Sequence, residues 1–484
     1  MTAAILVVGQ VALAQQPVSQ SPLEFTSSIP WLNQSFHWAK EQALQYSRPG
    51  SGSTGPWYEA ALPGRNAFCM RDVSHQTEGA AALGLYAANK NMLGLFVGSA
   101  AKSRDWAAYW EIDNEGKPSS ADYLSDDDFW FNLPANFDVL DAAVRMSQWT
   151  GDDTYRTDPD FQRFSRITMT DYLTAWQLEP GTILTRPRIA NRRLAKGQFV
   201  DSRGIPSYSE GTKDFVIGTD LLAAEYRAMI SYAQIVGDQG LAQSNKRKAD
   251  EIQAILERVG WSEQEHHYFS AIRSDRTGYG SADTMVLYFN AAKNPQHVQG
   301  ALNYVSSPAY WKEINIEEES YIPLTLFRYG RNQIAYQVLA NISDPQKQRR
   351  EYPEVSYSVI AAIVGGVMGI APGNRNDGYD VSTLSRLSTK GDSATITALA
   401  IKQNQIEVSH TGSTVTSLTN LSGPPLWWRA EFPGKLAQLV IEGKAKPAMH
   451  CTTPEGVAIS RIDVQVNSGS KVTVSALPAG SSSK

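Results

Sequence analysis

The chain has almost no cysteine. Cys69 and Cys451 are the only two in 484 residues, so neither a disulfide framework nor a cysteine zinc site holds it together. Two free thiols are expected, with a single Cys69–Cys451 bridge as the alternative. Long hydrophobic runs are also missing. The apolar stretch from Val359 to Ile370 is short and contains Gly365, Gly366 and Gly369, so no membrane insertion is expected. There is no basic excess. The 44 Lys and Arg face 49 Asp and Glu, for a net charge of -5. Nucleic acid is therefore not an expected partner. No Gly-rich phosphate loop, G-x-S-x-G elbow, H-E-x-x-H or CxxC motif occurs, which removes several reaction classes.

What the chain does have is apolar and aromatic mass. Hydrophobic residues make up 42% and charged residues 19%, which suits a globular protein with a large core. The length exceeds a typical domain of roughly 100–200 residues. The 12 Trp and 21 Tyr suit either stacking on sugar rings or a large helical core. The apolar run Ala3 to Ala14 ends in Ala12-Leu13-Ala14. It is too short to span a bilayer and reads as an export signal over 1–15, giving a secreted or periplasmic protein.

Apolar spacing and stop signals predict twelve helices. They fall at about 30–46, 72–93, 98–108, 133–149, 159–177, 217–236, 240–259, 282–291, 296–305, 320–329, 333–342 and 355–368. Short hinges alternate with long loops at 47–71, 109–132, 178–216, 260–281, 306–319 and 343–354. Each long loop leads into an even-numbered helix. The even helices are also the more apolar, as in Gly79-Ala80-Ala81-Ala82-Leu83-Gly84-Leu85, and such helices are buried ones. The pattern predicts a mainly α fold: six antiparallel pairs closed into an (α/α)6 barrel over 16–372, with the long loops gathered at one end.

After Pro372 the period changes to two. Ala394–Ile401, Gln405–His410, Val415–Leu418, Trp427–Phe432, Ala437–Glu442, Ala458–Val466 and Lys471–Ala476 read as strands of a small antiparallel β-sandwich over 373–484. The Trp427-Trp428 pair is read as packing against the barrel, with a sugar platform as the alternative.

Polar and acidic clusters fall where long loops meet inner helices. Arg71, Asp72, His75 and Gln76 open the second helix. Arg71 can clamp a carboxylate or fix hydroxyls, and His75 can shuttle a proton. A cap with an entry salt bridge is the plainer reading. Asp126-Asp127-Asp128 precede Phe129-Trp130-Phe131. Neighbouring carboxylates raise one another's pKa, and the run also leaves room for a structural calcium ion, without EF-hand spacing. Tyr208-Ser209-Glu210-Gly211 ends the longest loop, after Arg186, Arg188, Arg192 and Arg193, which would face an acidic sugar or form a solvated loop. Glu317-Glu318-Glu319-Ser320-Tyr321 and Tyr352-Pro353-Glu354-Val355-Ser356-Tyr357 mark the last two junctions.

On these features, and on the Thr150-Gly151-Asp152-Asp153-Thr154-Tyr155 turn, residues 25–372 resemble the six-hairpin glycosidase superfamily, (α/α)6-barrel glycoside hydrolases and related polysaccharide lyases. The acidic motifs of bacterial α-L-rhamnosidases, glucoamylases and trehalases are absent. The Arg71-Asp72-x-x-His75 block resembles polysaccharide-degrading enzymes acting on rhamnose–glucuronate linkages. The resemblance implies an oligo- or polysaccharide substrate, acidic or not, and no required cofactor. Inverting hydrolysis of a terminal rhamnose- or uronate-type sugar is expected, with carboxyls about 6.5–9.5 Å apart. Glu210 is the expected general acid, Glu354 the base, and Asp127 the reserve for either. The expected binding set is Arg71, Asp72, His75, Gln76, Trp130, Tyr208, Glu318, Tyr321, Tyr352 and Tyr357. The alternative reaction is β-elimination, with Arg71 neutralising a uronate and His75, Tyr208, Tyr321 or Tyr352 as base. A third reading is an inactive carbohydrate-binding protein.

Overall fold

Proline opens five of the barrel helices, at Pro30, Pro134, Pro159, Pro295 and Pro353, where its fixed φ suits a first turn that needs no N–H partner. The computed structural model describes residues 21–50, 54–60, 62–189, 196–211, 213–374 and 376–476. The expected export signal at 1–15, together with Arg192 and Arg193, lies outside them.

Twelve helices build the barrel among the described residues. They are α1 (Pro30–Tyr46), α2 (Met70–Ala82), α3 (Tyr86–Ser99), α4 (Pro134–Thr150), α5 (Pro159–Ile167) and α6 (Thr219–Ile235). The second half holds α7 (Gln239–Ile255), α8 (Asp283–Tyr288), α9 (Pro295–Val305), α10 (Ile316–Arg328), α11 (Asn332–Ile342) and α12 (Pro353–Ala361). The even helices pack in sequence, α2 on α4, α4 on α6, α6 on α8, α8 on α10 and α10 on α12, and α12 closes back onto α2. The odd helices lie outside. The closing seam needs glycine: a Cβ on Gly79 of α2 would stand 2.1 Å from the Tyr357 carbonyl oxygen of α12. No described helix is long and apolar enough to cross a membrane.

One boundary differs from expectation. The predicted helix 72–93 breaks after Ala82, and Gly84 adopts φ +81°, a region open to glycine and costly for other residues. The third helix is therefore Tyr86–Ser99, and beyond Ser99 the predicted helix 98–108 holds only the single turn Lys102–Arg104. The apolar period runs on through Leu83 and Leu85, which conceals the stop.

Among the described residues the β-domain has a seven-stranded and a five-stranded sheet. Two expectations are corrected. Glu24–Ser27 pairs antiparallel with Ser393–Ile401, so the barrel segment does not begin at residue 16; its first strand belongs to the β-domain. The sandwich is also not wholly antiparallel, because Val381–Leu384 runs parallel to Leu426–Pro433. The pleat splits the tryptophan pair. Trp428 is buried and donates its indole N–H to Thr383 Oγ1 at 2.9 Å, while Trp427 stands exposed. The domain is fixed to the barrel by Lys402 N–H donating to the Trp149 carbonyl at 2.7 Å and by Arg386 donating to the Gly365 and Gly366 carbonyls at 3.2 and 2.7 Å. Both cysteines are free thiols, and Cys69 Sγ donates to Glu111 at 3.2 Å.

Candidate active site

Side-chain caps occur in both rings, and Asn315 caps the inner helix α10. Asp158, Asp238 and Asn294 cap the outer helices α5, α7 and α9. The inner helices α2, α4, α6, α8 and α12 carry no such cap. Their N-termini, each with partial positive charge, meet at the loop end of the barrel.

The strand Ala67–Cys69, paired with Glu111–Asp113, delivers the chain into the first turn of α2. There Arg71 reaches across the mouth. Its Nη1 donates to Glu210 Oε1 at 2.9 Å, and its Nε lies 3.8 Å from Asp72 Oδ1. Its guanidinium sits 5.5 Å from the Trp110 ring and 5.9 Å from the Tyr208 ring. Glu354, in the first turn of α12, is 3% exposed. Its pKa is raised well above the usual carboxylate range, first by burial, then by the charge of Asp72 and a hydrogen bond with it. Glu317 of α10 accepts from Arg349 at 3.1 Å. Its pKa is also raised by burial, with Arg71 opposing the shift.

Beneath this layer His75 lies in a cage of rings. Tyr321, Tyr288, Phe289 and Tyr208 have centroids 4.9, 5.1, 6.0 and 6.1 Å away. Its Nε2 is 3.7 Å from Asp138 Oδ1 of α4, and the same oxygen accepts from the Tyr208 hydroxyl at 2.5 Å. Buried polar atoms are nearly always paired. Yet among the described residues both nitrogens of His75, both amide atoms of Gln76 and of Asn132, Asp138 Oδ2 and Glu354 Oε2 are buried without a hydrogen-bond partner. All five residues lie in or beside the first turns of α2, α4 and α12.

Further carboxyls ring the mouth. Asp122 and Glu111 share Arg65, each at 2.9 Å. Asp122 is pushed up to about 7 by burial and then by Glu111. Asp220 in the first turn of α6 accepts from Ser207 Oγ at 2.7 Å and from the Tyr208 and Leu221 N–H groups, and burial pushes it up to about 7. Asp283 of α8 accepts from the Tyr268 N–H and from Ser281.

Several expected residues stand elsewhere. Asp127 is exposed on its turn, and its neighbours serve the loop: Asp126 pairs with Arg104 at 2.5 Å, and Asp128 accepts from the Gln198 and Phe199 N–H groups. No group of three or more His, Cys, Asp or Glu among the described residues is placed to hold a metal ion. Tyr357 is not a mouth residue. It is fully buried, donates to the Ala43 carbonyl at 3.0 Å and packs on Tyr58, because it lies on the α1 side of α12. Arg186 does not face a ligand; it is buried and donates to the Trp176, Arg188 and Val216 carbonyls. Glu318 accepts from Tyr310 at 2.5 Å on the α8 side. Trp130 packs on Trp110 at 4.4 Å, one layer behind Arg71. Tyr352 lies under the Arg349 guanidinium at 4.1 Å, on the rim.

Sequence reasoning singled out neither Asp138 nor Asp220. Each sits within an apolar helical run whose spacing reads as core. The available signal is positional: each falls in the opening turns of an inner helix, as Asp72 and Glu354 do.

No family model matches the chain, and no curated protein sequence does. Solved structures do. The α-L-rhamnosidase from Dictyoglumus thermophilum aligns over 95% of this chain and 51% of its own, with TM-score 0.58 and 14% identity. A GH78 family rhamnosidase of Bacillus sp. GL1 aligns over 83% and 41%, with TM-score 0.55 and 13% identity. A putative kojibiose phosphorylase from human microbiome aligns over 92% and 60%, with TM-score 0.51 and 10% identity. The chain thus spans about half the length of the rhamnosidases it matches. The likeness shows the fold: an (α/α)6 barrel with appended β-structure.

Proposed function

We propose that this chain is a glycoside hydrolase that removes a terminal, uncharged sugar of the rhamnose type from an oligo- or polysaccharide. The observation that carries the reading is the group of unpartnered buried polar atoms on His75, Gln76, Asn132, Asp138 and Glu354, beside carboxyls supplied by several inner helices. Polar atoms left unpaired at one end of a barrel are matched by a ligand rich in hydroxyls.

Protonation orders the roles. Burial and Asp72 both disfavour the charged form of Glu354 and raise its pKa well above the usual carboxylate range. Glu354 therefore suits the general acid, which protonates the glycosidic oxygen as the bond breaks. Glu210 has a side chain 45% exposed and held by Arg71. It stands where water enters and suits the base that activates the attacking water. This exchanges the roles expected from spacing. Asp127 takes neither. The ring cage around His75 offers apolar faces to a deoxy sugar.

Charge favours a neutral substrate over a uronate. The guanidiniums of Arg65, Arg71 and Arg349 are all already engaged by carboxyls of the chain itself, Glu111, Asp122, Asp72, Glu210 and Glu317. The same point weighs against β-elimination, as does Tyr208, whose pKa is raised well above the phenol range by burial and Asp138. The apolar N-terminal run supports export, which places the substrate outside the cytoplasm.

The test is product analysis on a panel of aryl α-L-rhamnosides and rhamnose-terminated oligosaccharides. Release of a free monosaccharide without an ultraviolet-absorbing unsaturated product is expected. Formation of a conjugated uronate, or release of no sugar from any rhamnoside, would overturn the reading.

A further inference from the structure

Trp427 is the one exposed tryptophan among the described residues, at 45%. It lies on Leu426–Pro433, where Leu426, Trp428 and Ala430 turn inward and are buried. The pleat therefore turns Trp427 outward, and the sandwich core makes no use of it. Its backbone is fixed on both sides: its N–H donates to Asp380 Oδ2 at 2.8 Å, and its carbonyl accepts from the Asp380 N–H at 2.8 Å.

The indole does not stand on a featureless surface. It lines a cavity of ≈ 630 Å³ together with Pro425, Tyr379, Gln148, Gln403 and Lys402. Gln148 belongs to the last turns of α4, so the cavity opens at the end of the barrel opposite the catalytic mouth. Its charges are matched. Lys402 pairs with Asp380 at 2.9 Å, and Arg156 with Asp153 at 3.5 Å. What remains is an aromatic platform on a hydrogen-bonded backbone beside primary amides, Gln403 and Gln148, the latter donating to Gln234 Oε1 at 3.2 Å; amides donate to and accept from hydroxyls alike.

We infer that this groove is a second saccharide-binding site, separate from the mouth, which takes an uncharged stretch of a polysaccharide with one sugar ring stacked on Trp427. Aromatic faces bury the apolar side of a pyranose, and amides satisfy its edges. The inference rests on the carbohydrate reading of the chain but not on its hydrolytic chemistry. It would give the enzyme a hold on a polymer while the mouth handles a chain end.

The test is native affinity electrophoresis of the full chain through gels containing arabinan, galactan, xylan or β-glucan. The wild type, Trp427→Ala and Trp427→Phe are compared, alongside turnover of a small aryl rhamnoside. At least one polymer should retard the wild type. Trp427→Ala should weaken that retardation roughly tenfold, as the loss of one stacking contact implies. Trp427→Phe should fall between, and turnover of the small glycoside should not change. Equal retardation of wild type and Trp427→Ala would overturn the groove, as would no retardation by any polymer. Retardation sensitive to Trp427 in a protein without hydrolytic activity would sink the hydrolase reading alone.

Discussion

Glu354 and Asp72 face one another, buried, across the seam where the last inner helix meets the first, and the charge of Asp72 adds to burial in raising the Glu354 pKa. Both stand in helix first turns, where the backbone dipole favours negative charge by about 0.3–1 kcal/mol. Burial outweighs it, since a fully buried carboxyl can shift by several pKa units. The pair thus favours the protonated form of Glu354 at the mouth of a site lined mainly by acids.

Replacing Asp72 by Asn removes a charge that raises the Glu354 pKa. The basic limb of the kcat/KM profile, which reports the general acid of the free enzyme, should then move to lower pH. Burial still acts on Glu354, so the limb should not fall to that of an exposed carboxyl. A pH–rate profile checks this, and an unmoved limb speaks against the pairing.

Glu210 is held by Arg71 at the entrance. If it activates water, Glu210→Gln should lower kcat by about 10²–10⁴-fold while leaving the melting temperature nearly unchanged, because the side chain is half exposed. Steady-state kinetics with a thermal melt separates the two effects. A KM change with intact kcat would make Glu210 a binding residue only.

Glu225 in α6 is fully buried, and neither carboxyl oxygen has a hydrogen-bond partner among the described residues. Burial raises its pKa well above the usual value, opposed by Lys248 and Arg186. The folded state thus keeps this proton longer than the unfolded one. Its stability contribution is complete below the unfolded pKa of about 4.3 and declines as pH rises through the folded value. Glu225→Met should raise stability by about 1–3 kcal/mol, more in mildly alkaline than in acidic buffer. Chemical denaturation at two pH values checks it.

Tyr357 gives the opposite case, a residue expected at the mouth that the structure assigns to the seam. Tyr357→Phe should cost about 1 kcal/mol for the lost hydrogen bond and leave kcat and KM unchanged. A shift in KM would return Tyr357 to the site.

The barrel was legible because hinge and loop lengths alternate along the chain, and alternation survives errors at single helices. The break at Gly84 escaped because apolar spacing continues through it. Glu24–Ser27 escaped because its partner strand lies some 370 residues later and a four-residue strand carries little pattern. In the site, Arg71, His75 and Glu354 were legible as polar residues opening apolar helices. The triplet around Asp127 misled because acidic density marks a loop that needs backbone N–H partners as readily as one that needs a proton donor. Protonation roles were not legible, since they depend on which carboxyls become buried against each other.

The most direct test compares Glu354→Gln with the wild type on two rhamnosides, one with an activated aryl leaving group and one with an alkyl leaving group. If Glu354 protonates the departing oxygen, the alkyl glycoside should lose about 10²–10⁴-fold in rate, and the activated aryl glycoside far less, since it departs without a proton. Equal losses on both substrates, or no loss on either, would contradict the assignment.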